Sequence, residues 1–296
     1  MSMSPRLMRP RQTLHPEAAS WASRVVANGG TVSGTTLSAV DKFCKAIASA
    51  GIRDRFYRLN LFCGTGLNAA LVPLYRGPSL GGTQYGNATD TNLGSPSFLP
   101  TDYSESNGLQ AMTAAQAAGA TAATKHLNCG AVFAGLASHA DSHLAADIKL
   151  HTGATYAQMP IIQVFADSVP AESYFSQHRL SLTSARTLEH ISGGTAQINR
   201  TSLAEGVRHF VLSSRTDIST HAAYLNGGSA IAGGSIASRS VNTAAELAPF
   251  ANWNNGSSPS YRHIMSAYSF GRGFSPAEAA AYSDAMAAFK VAMGRT

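Results

Sequence analysis

The sequence predicts a mainly β protein in which many short antiparallel strands form a sandwich or a barrel, with helices near the two ends. From about residue 55 onward, apolar residues recur at every second position, which is the period of a strand with two different faces. Clusters of Gly, Asn and Ser separate these runs, as turns separate strands. No regular alternation of strands with helices is visible, which disfavours a parallel sheet.

The predicted strands are short apolar runs that share this pattern. The first contains Tyr57, Leu59, Leu61 and Cys63 at alternate positions. The others lie at about residues 144–150, 161–165, 180–182, 207–212, 221–225 and 261–268. Many short strands with turn signals between them are typical of sandwiches and barrels.

Two short helices are predicted before the first strand. Pro16 suits the first position of a helix, and Asn28 with two following glycines suits its end. The second helix is predicted from about Thr36 to Ser49, because its apolar residues recur at helical spacing. That apolar stripe consists of Leu37, Val40, Cys44 and Ile47.

The C-terminal helix has the clearest local signal. Ser275 and Glu278 form a capping box, with Pro276 between them at the first helical position. An apolar stripe follows, and Gly294 ends the helix. The stripe consists of Tyr282, Met286, Phe289 and Met293. We expect this stripe to cover an open edge or end of the sandwich.

The predicted organisation has three parts. An extended basic arm occupies residues 1–14, for which a disordered tail is the alternative. A helical hairpin occupies residues 15–51, and the β-sandwich residues 52–296. Within the sandwich, a long loop at 77–110 is rich in Gly, Thr, Asn, Ser and Pro, and loops of this length are usually functional or ordered by a partner. Residues 111–123 fit a helix or a loop of small residues, and the C-terminal helix spans 276–294.

The charged fraction is low and the net charge is positive. Charged residues make up 13% of the chain, against about a quarter in ordinary proteins, and the formal net charge is +6. A small, uncharged surface suits packing against copies of the chain or other proteins, although a codon preference for Ala and Gly gives the same composition. Basic residues cluster only in the arm, where they are candidate contacts with a partner protein: Arg6, Arg9 and Arg11.

Several function classes lack their sequence signals. Basic residues are not interleaved with aromatic residues, so nucleic acid is not an expected partner. No apolar run approaches the ~18 residues that span a bilayer, and no secretory signal is visible. The motifs GxSxG, GxGxxG and GxxxxGK[ST] are absent, and the 16 acidic residues are scattered, so we predict neither an enzyme nor a cofactor.

Two groups of residues have the spacing of metal ligands. His139, Asp141 and His143 would lie on one face of a strand, although a polar, solvent-facing strand has the same pattern and is commoner. A second group in the long loop offers oxygen ligands for calcium, although turns use the same residues more often. This second group is Asn87, Asp90 and Asn92. Because the commoner interpretation is favoured in both cases, no metal is predicted.

Two further sets of residues each have two interpretations. Cys44, Cys63 and Cys129 show no CxxC spacing and lie among apolar residues, so buried thiols are favoured, and a disulfide is the alternative. Trp253 between two asparagines is a candidate glycan contact, although such a tryptophan is more often a core anchor. The candidate glycan contact is therefore Asn252, Trp253 and Asn254.

Four sequence blocks, in this order along the chain, resemble phage and prophage virion structural proteins with a concanavalin A-like (laminin-G-like) jelly-roll domain. The blocks are ASWASRVVANGG at 19–30, YRLNLFCG at 57–64, GNATDTN at 86–92 and YSFGRGF at 268–274. The resemblance implies a jelly-roll sandwich of two antiparallel sheets and a place in the virion. It implies no catalytic residues.

The sequence therefore predicts a non-enzymatic structural component of a tailed-bacteriophage virion: a fibre, a head-decoration protein or a tail-associated protein. Its expected partners are other virion proteins and further copies of itself, after synthesis in the host cytoplasm. A module that binds host surface glycan is the alternative, and a glycan-degrading enzyme is a more distant one.

Overall fold

The computed structural model of the chain describes residues 13–113, 125–138, 140–152, 159–165, 176–180, 187–192, 201–233, 246–250 and 263–295. Helices flank the strands at both ends of this part of the chain. They are α1 (Pro16–Ala27), α2 (Gly34–Ser49), the short α3 (Leu67–Ala70) and α4 (Pro276–Ala292). Single 3-10 turns lie at Arg53–Arg55, Pro100–Asp102 and Phe133–Gly135.

Strands account for most of the remaining regular structure. They are β1 (Phe56–Asn60), β2 (Thr91–Leu93), β3 (Tyr103–Ser104), β4 (Gly108–Gln110), β5 (His126–Asn128), β6 (Ser142–Leu150), β7 (Met159–Phe165), β8 (Ser176–Leu180), β9 (Thr187–Ser192), β10 (Thr201–Ser202), β11 (Arg208–Arg215), β12 (His221–Leu225), β13 (Ile231–Gly233), β14 (Glu246–Pro249) and β15 (His263–Gly271).

The strands form two larger sheets and one small one. The central sheet has the order β13-β12-β11-β6-β15-β4-β3, and β1 also pairs with β15. The second sheet has the order β10-β9-β8-β7-β14, and β2 pairs with β5. All of these strand pairs are antiparallel, so the prediction of a mainly antiparallel β protein is confirmed.

The predicted positions of several strands are confirmed, whereas the predicted loop at 77–110 contains short strands that were not predicted. Strands β6, β7, β11, β12 and β15 lie where alternation or apolar runs predicted them, and β12 has the predicted bounds of His221–Leu225. The predicted long loop at 77–110 is not structureless, because it contains β2, β3 and β4. Strands of two or three residues are too short to show a period in the sequence.

The two larger sheets share one apolar core. Side chains of the central sheet, including Ile148, Val211 and Met265, belong to the same cluster as Ile162 and Leu247 of the second sheet. Each of these five side chains is fully buried. Burial of apolar surface between the sheets is the main stabilising contribution here, at about 25 cal/mol per Å².

A layer of helices covers the opposite face of the central sheet. Trp21 of α1, Phe43 of α2 and Tyr282 of α4 share a second apolar cluster with Phe56 and Phe210 of the sheet. The ring of Tyr282 lies 4.9 Å from that of Phe56 and 5.1 Å from that of Phe210. The expectation that the C-terminal helix covers an edge or end of the sandwich is therefore wrong, because α4 packs on a face.

The predicted signals at the helix ends are confirmed. Ser275 and Glu278 form the capping box of α4, with both hydrogen bonds present. A further cap, which was not predicted, lies at Ser33, which accepts a hydrogen bond from the backbone N–H of Thr36 at the start of α2. Among the described residues, no helix is long and apolar enough to cross a membrane.

Because both faces of the central sheet are covered, polar residues at alternate positions of its strands are buried instead of solvent-exposed. All nine residues of β15 and all eight residues of β11 are buried. A buried polar group is costly unless it is hydrogen-bonded or paired. The polar side chains of this sheet must therefore find partners inside the protein.

Candidate functional site: an arginine-braced surface loop

Two of the predicted sites lie outside the described residues. These are the basic arm with Arg6, Arg9 and Arg11, and the candidate glycan contact formed by Asn252, Trp253 and Asn254. Both remain predictions from the sequence.

Of the first candidate metal group, two members are described, and neither is available to a metal. His143 is buried and both of its ring nitrogens are used, by the Arg272 carbonyl oxygen at 2.7 Å and the Ser269 hydroxyl at 3.0 Å. Asp141 pairs with Arg272 at 2.8 Å. The alternative of a solvent-facing polar strand is wrong for His143, because the helical layer covers it. His139 lies outside the described residues.

The candidate calcium ligands are brought near one another but serve the protein itself. Asp90 is buried and pairs with Arg58. Asn87 donates to the Thr91 hydroxyl, and Asn92 bonds to the backbone of Phe98 in both directions. Among the described residues, no group of three or more His, Cys, Asp or Glu side chains is arranged to hold a metal.

Several arginine side chains hold the loop at 73–87, which we call the braced loop. It leaves the protein after α3 and returns before β2. Arginines from other segments, and one from the loop itself, donate hydrogen bonds to its backbone carbonyl oxygens. They are Arg24, Arg53, Arg58 and Arg76. These hydrogen bonds restrain the backbone on both sides of the loop tip.

The entry side of the braced loop is held by two arginines. Arg24 of α1 donates to the Pro73 oxygen at 2.7 Å and to the Leu74 oxygen at 2.9 Å. Arg53 donates to the Gly77 oxygen at 2.7 Å, and its guanidinium lies 3.8 Å from the centre of the Tyr75 ring. Both arginines are half-buried, so their bonds are partly protected from water.

The exit side is held by Arg58, which is fully buried in β1. Arg58 donates to the Asn87 oxygen at 2.6 Å and to the Asp90 carboxylate at 2.5 Å. Tyr268 and Asn60 each donate to the same carboxylate at 2.7 Å. Burial lowers the pKa of Arg58, but the adjacent Asp90 charge outweighs it and the pKa is raised. Arg58 therefore stays charged, and its charge is neutralised within the protein.

The backbone segments at the two ends of the braced loop tip, at Gly77 and Gly86, lie very close to other backbone. A Cβ atom at Gly77 would lie 2.1 Å from the backbone oxygen of Thr83, and one at Gly86 would lie 2.3 Å from that of Cys129. Gly86 also has a φ of +69°, which side chains with a Cβ rarely adopt. Glycine is therefore required at both positions for the backbone segments to approach this closely.

The loop tip, residues 79–84, is exposed along its whole length. Its sequence, SLGGTQ, contains no charged side chain, and Leu80 is 48% exposed. The arginines hold the backbone on both sides of this tip, so the exposed Leu80 is presented on a loop with less conformational entropy to lose on binding than a loop without such bonds. The tip offers hydroxyl, amide and apolar groups, which suit recognition.

The arginines that hold this loop were not predicted from the sequence. A usable signal was present at Arg58, a single cation in the strand sequence FYRLN. If a strand is covered on both faces, a cation between its apolar residues is buried, and a buried cation needs a partner. The identity of the partner, Asp90, could not be read from the sequence.

A second charged network lies on the helix-covered face of the central sheet. Asp147 of β6 is buried, and its carboxylate lies 3.2 Å from Arg208 of β11 and 3.2 Å from Lys290 of α4. Ser266 donates to the same carboxylate, from a register shift in β15 between Met265 and Ala267 that directs it there. This network joins the helical layer to the sheet.

The three cysteines are buried free thiols, as the favoured interpretation predicted. Burial raises the pKa of Cys44 and of Cys63 to about 12. Burial also raises the pKa of Cys129, whose sulfur lies 3.0 Å from the Tyr268 hydroxyl. Thiols with raised pKa values are poor nucleophiles at neutral pH.

Comparisons with known proteins do not assign a family. No protein-family model matches the chain, and no curated protein matches its sequence. Among solved structures, domain 4 of an extracellular GH43 arabinanase from Geobacillus stearothermophilus, bound to arabinotriose, is similar over 54% of this chain and 73% of that one. Its identity is 12% and its TM-score 0.40.

Two structures of Trypanosoma rangeli sialidase are also similar. A mutant that displays trans-sialidase activity has a TM-score of 0.48 at 9% identity, over 86% of this chain and 40% of that one. A complex with 2,3-difluorosialic acid has a TM-score of 0.46 at 9% identity, over 84% and 39%. The chain thus spans about two fifths of the length of these sialidases. TM-scores below 0.5 carry no conclusion for this chain.

Proposed function

We propose that this chain is a non-enzymatic structural component of a tailed-bacteriophage virion that acts through protein–protein contacts, as a fibre, head-decoration or tail-associated protein. The proposed fold is a concanavalin A-like jelly-roll β-sandwich. Two antiparallel sheets that share one apolar core support the sandwich. The four sequence blocks at 19–30, 57–64, 86–92 and 268–274 support the family.

The observation that carries the proposal is the braced loop with its exposed, uncharged tip. Assembly contacts are strongest where a surface is already in its bound conformation and can exclude water. The tip meets the first condition because arginines hold the backbone on both sides of it. Leu80 supplies the apolar group that a partner would bury.

The use of the buried charges also supports a structural role. The charged groups of the two networks, Arg58–Asp90 and Asp147–Arg208–Lys290, bond to each other inside the protein. Buried charges paired in this way fix the relative positions of loop, sheet and helices. A catalytic acid or base needs instead to reach a substrate.

The experiment that tests the proposal combines mass spectrometry of purified particles with the solution mass of the purified chain. We expect the chain to be present in particles and to form a stable homo-oligomer or a tight complex with another particle protein. A purified chain that remains monomeric in light scattering and is missing from particles would refute the proposal.

A pair of variants tests the part played by the loop tip. Leu80→Lys places a charge on the tip, and Val291→Lys makes the same change on α4, where the side chain is 69% exposed. We expect Leu80→Lys to weaken assembly and Val291→Lys to leave it intact, because only the first charge would be buried in the contact. Equal assembly of both variants and the unmodified chain would show that the tip is not the contact surface.

A further inference from the structure

Two of the arginines that hold the braced loop, Arg24 and Arg76, differ from the other two. Arg24 lies on α1 and bonds the Leu74 oxygen, and Arg76 is two residues further along the same segment. Both side chains are half-buried. Burial, together with the charge of Arg76, lowers the pKa of Arg24 to about 10. Burial and the charge of Arg58 lower the pKa of Arg76 as well.

The nearby carboxylates do not neutralise this pair. Glu17 bonds to Arg53 at 2.7 Å, and Asp90 bonds to the buried Arg58. In the part of the chain that the structure describes, neither Arg24 nor Arg76 forms an ion pair with a carboxylate. Among the described residues, the four arginines that hold the loop and the two carboxylates that pair with them therefore carry a net charge of +2.

The pair also has unused hydrogen-bond donors. A guanidinium carries five N–H donors in a planar fork. Among the described residues, Arg24 donates to two carbonyl oxygens, whereas Arg76 makes a single long bond of 3.3 Å to the Gly86 oxygen. The buried Nε atom of Arg76 has no partner in that part of the chain. An incompletely satisfied guanidinium is costly, so an anion that accepts from the accessible part of the half-buried Arg76 side chain would be favoured.

We propose that Arg24 and Arg76 form a binding site for an oxyanion, a carboxylate or phosphate group, at the base of the braced loop. An oxyanion can accept hydrogen bonds from two guanidinium groups at once, and its charge neutralises both. A monatomic anion such as chloride can neutralise the charge, but it lacks the two oxygen atoms that accept from the planar guanidinium N–H groups. Occupation of the site would strengthen the hold on both ends of the loop, since Arg24 bonds its first residues and Arg76 bonds Gly86.

The test measures anion binding to the full chain by isothermal titration calorimetry and by the shift of Tm. Phosphate and acetate are compared with chloride at matched ionic strength. We expect phosphate to bind saturably and to raise Tm more than chloride does. We expect Arg76→Gln to weaken phosphate binding about tenfold, the effect of losing about 1.4 kcal/mol.

The matched control is Arg272→Gln, which removes one positive charge from an exposed arginine paired with Asp141. This variant should bind phosphate as the unmodified chain does. If Arg76→Gln does not fold, Arg76→Lys takes its place, because it keeps the charge and loses the fork, and it should bind more weakly than the unmodified chain.

Two results would overturn the proposal: phosphate and acetate that act no differently from chloride, or phosphate binding that is equal in the unmodified chain and in a folded Arg76 variant. Among supporting results, the two anions identify the source of the oxyanion. Binding of phosphate alone indicates a phosphate group, and binding of acetate as well indicates a carboxyl group such as an acidic side chain of a neighbouring protein.

Discussion

The two faces of the central sheet each bury a charged network, but the networks have different partners. On the face toward the second sheet, Arg58 and Asp90 form a fully buried pair that also bonds loop backbone. On the helix-covered face, Asp147 is shared by Arg208 and Lys290, and the Lys290 side chain is 15% exposed. The first pair has no access to water, and the second retains some.

This difference predicts which charged side chains the folded protein needs most for its stability. Removal of one partner from a fully buried pair leaves the other as an uncompensated charge. Removal of one partner from a shared and partly hydrated network leaves remaining partners that still satisfy the carboxylate. The loop-side network should therefore respond much more strongly to single substitutions than the helix-side network.

The largest effect is expected for Arg58→Met. The change leaves the Asp90 carboxylate buried without its cation, and it removes the bond to the Asn87 oxygen. We expect a loss of about 3–5 kcal/mol in the free energy of unfolding, measured by urea denaturation. The control Arg272→Met removes an arginine that is 42% exposed and should cost about 0–1 kcal/mol. Similar losses in both variants would contradict the comparison.

Asp147→Asn is expected to have an intermediate effect. The change keeps the shape of the side chain but leaves Arg208 and Lys290 without their carboxylate. Both cations keep another favourable interaction, since Arg208 also donates to the Asn107 oxygen and Lys290 is partly solvated. We expect a loss of about 2 kcal/mol in unfolding free energy. A loss larger than that of Arg58→Met would reverse the proposed order of the two faces.

The two faces can also be compared through a buried histidine on each. Burial lowers the pKa of His143, on the helix side, and of His263, on the other side, to about 3. The unfolded chain binds these protons near pH 6.5, so it binds more protons than the folded chain below that pH. Stability should therefore fall as pH falls, by about 2 kcal/mol per histidine between pH 6.5 and 5.

His263→Phe provides the measurement. Within the described part of the chain, neither ring nitrogen of His263 has a hydrogen-bond partner. The ring stacks on Phe250 at 4.9 Å, so phenylalanine keeps the contact. Urea denaturation at pH 5 and pH 7 should show a shallower pH dependence for the variant. An unchanged pH dependence would mean that His263 is not neutral in the folded protein. His143→Phe should also flatten it, but should lose stability at pH 7 because two hydrogen bonds disappear.

The smallest effect is expected for Lys290→Met. Asp147 keeps Arg208 and Ser266 as partners, and the methionine side chain retains most of the apolar stem that packs on the sheet. We expect a loss of about 1 kcal/mol or less in unfolding free energy. A loss above about 3 kcal/mol would show that Lys290 is as indispensable as Arg58.

Local patterns predicted local structure well. The capping box at Ser275 and the alternation around residues 144–150 each depend on neighbours in sequence, and both are found in the structure. Interpretations that depended on residues distant in sequence were less accurate. Asp90 was a candidate calcium ligand until Arg58, 32 residues away in sequence, proved to be its partner. His143 was taken for a solvent-facing or metal-binding residue, because nothing in its own strand indicates that α4 covers it.

The sequence by itself determined the mainly β composition, the helices at both ends and the burial of the three cysteines, because propensity, period and hydrophobicity act over a few residues. Only the tertiary structure decided that helices cover one face of the central sheet and that four arginines hold the loop at 73–87. Those outcomes depend on which distant segments meet, and burial then requires each polar group to find a partner across that distance.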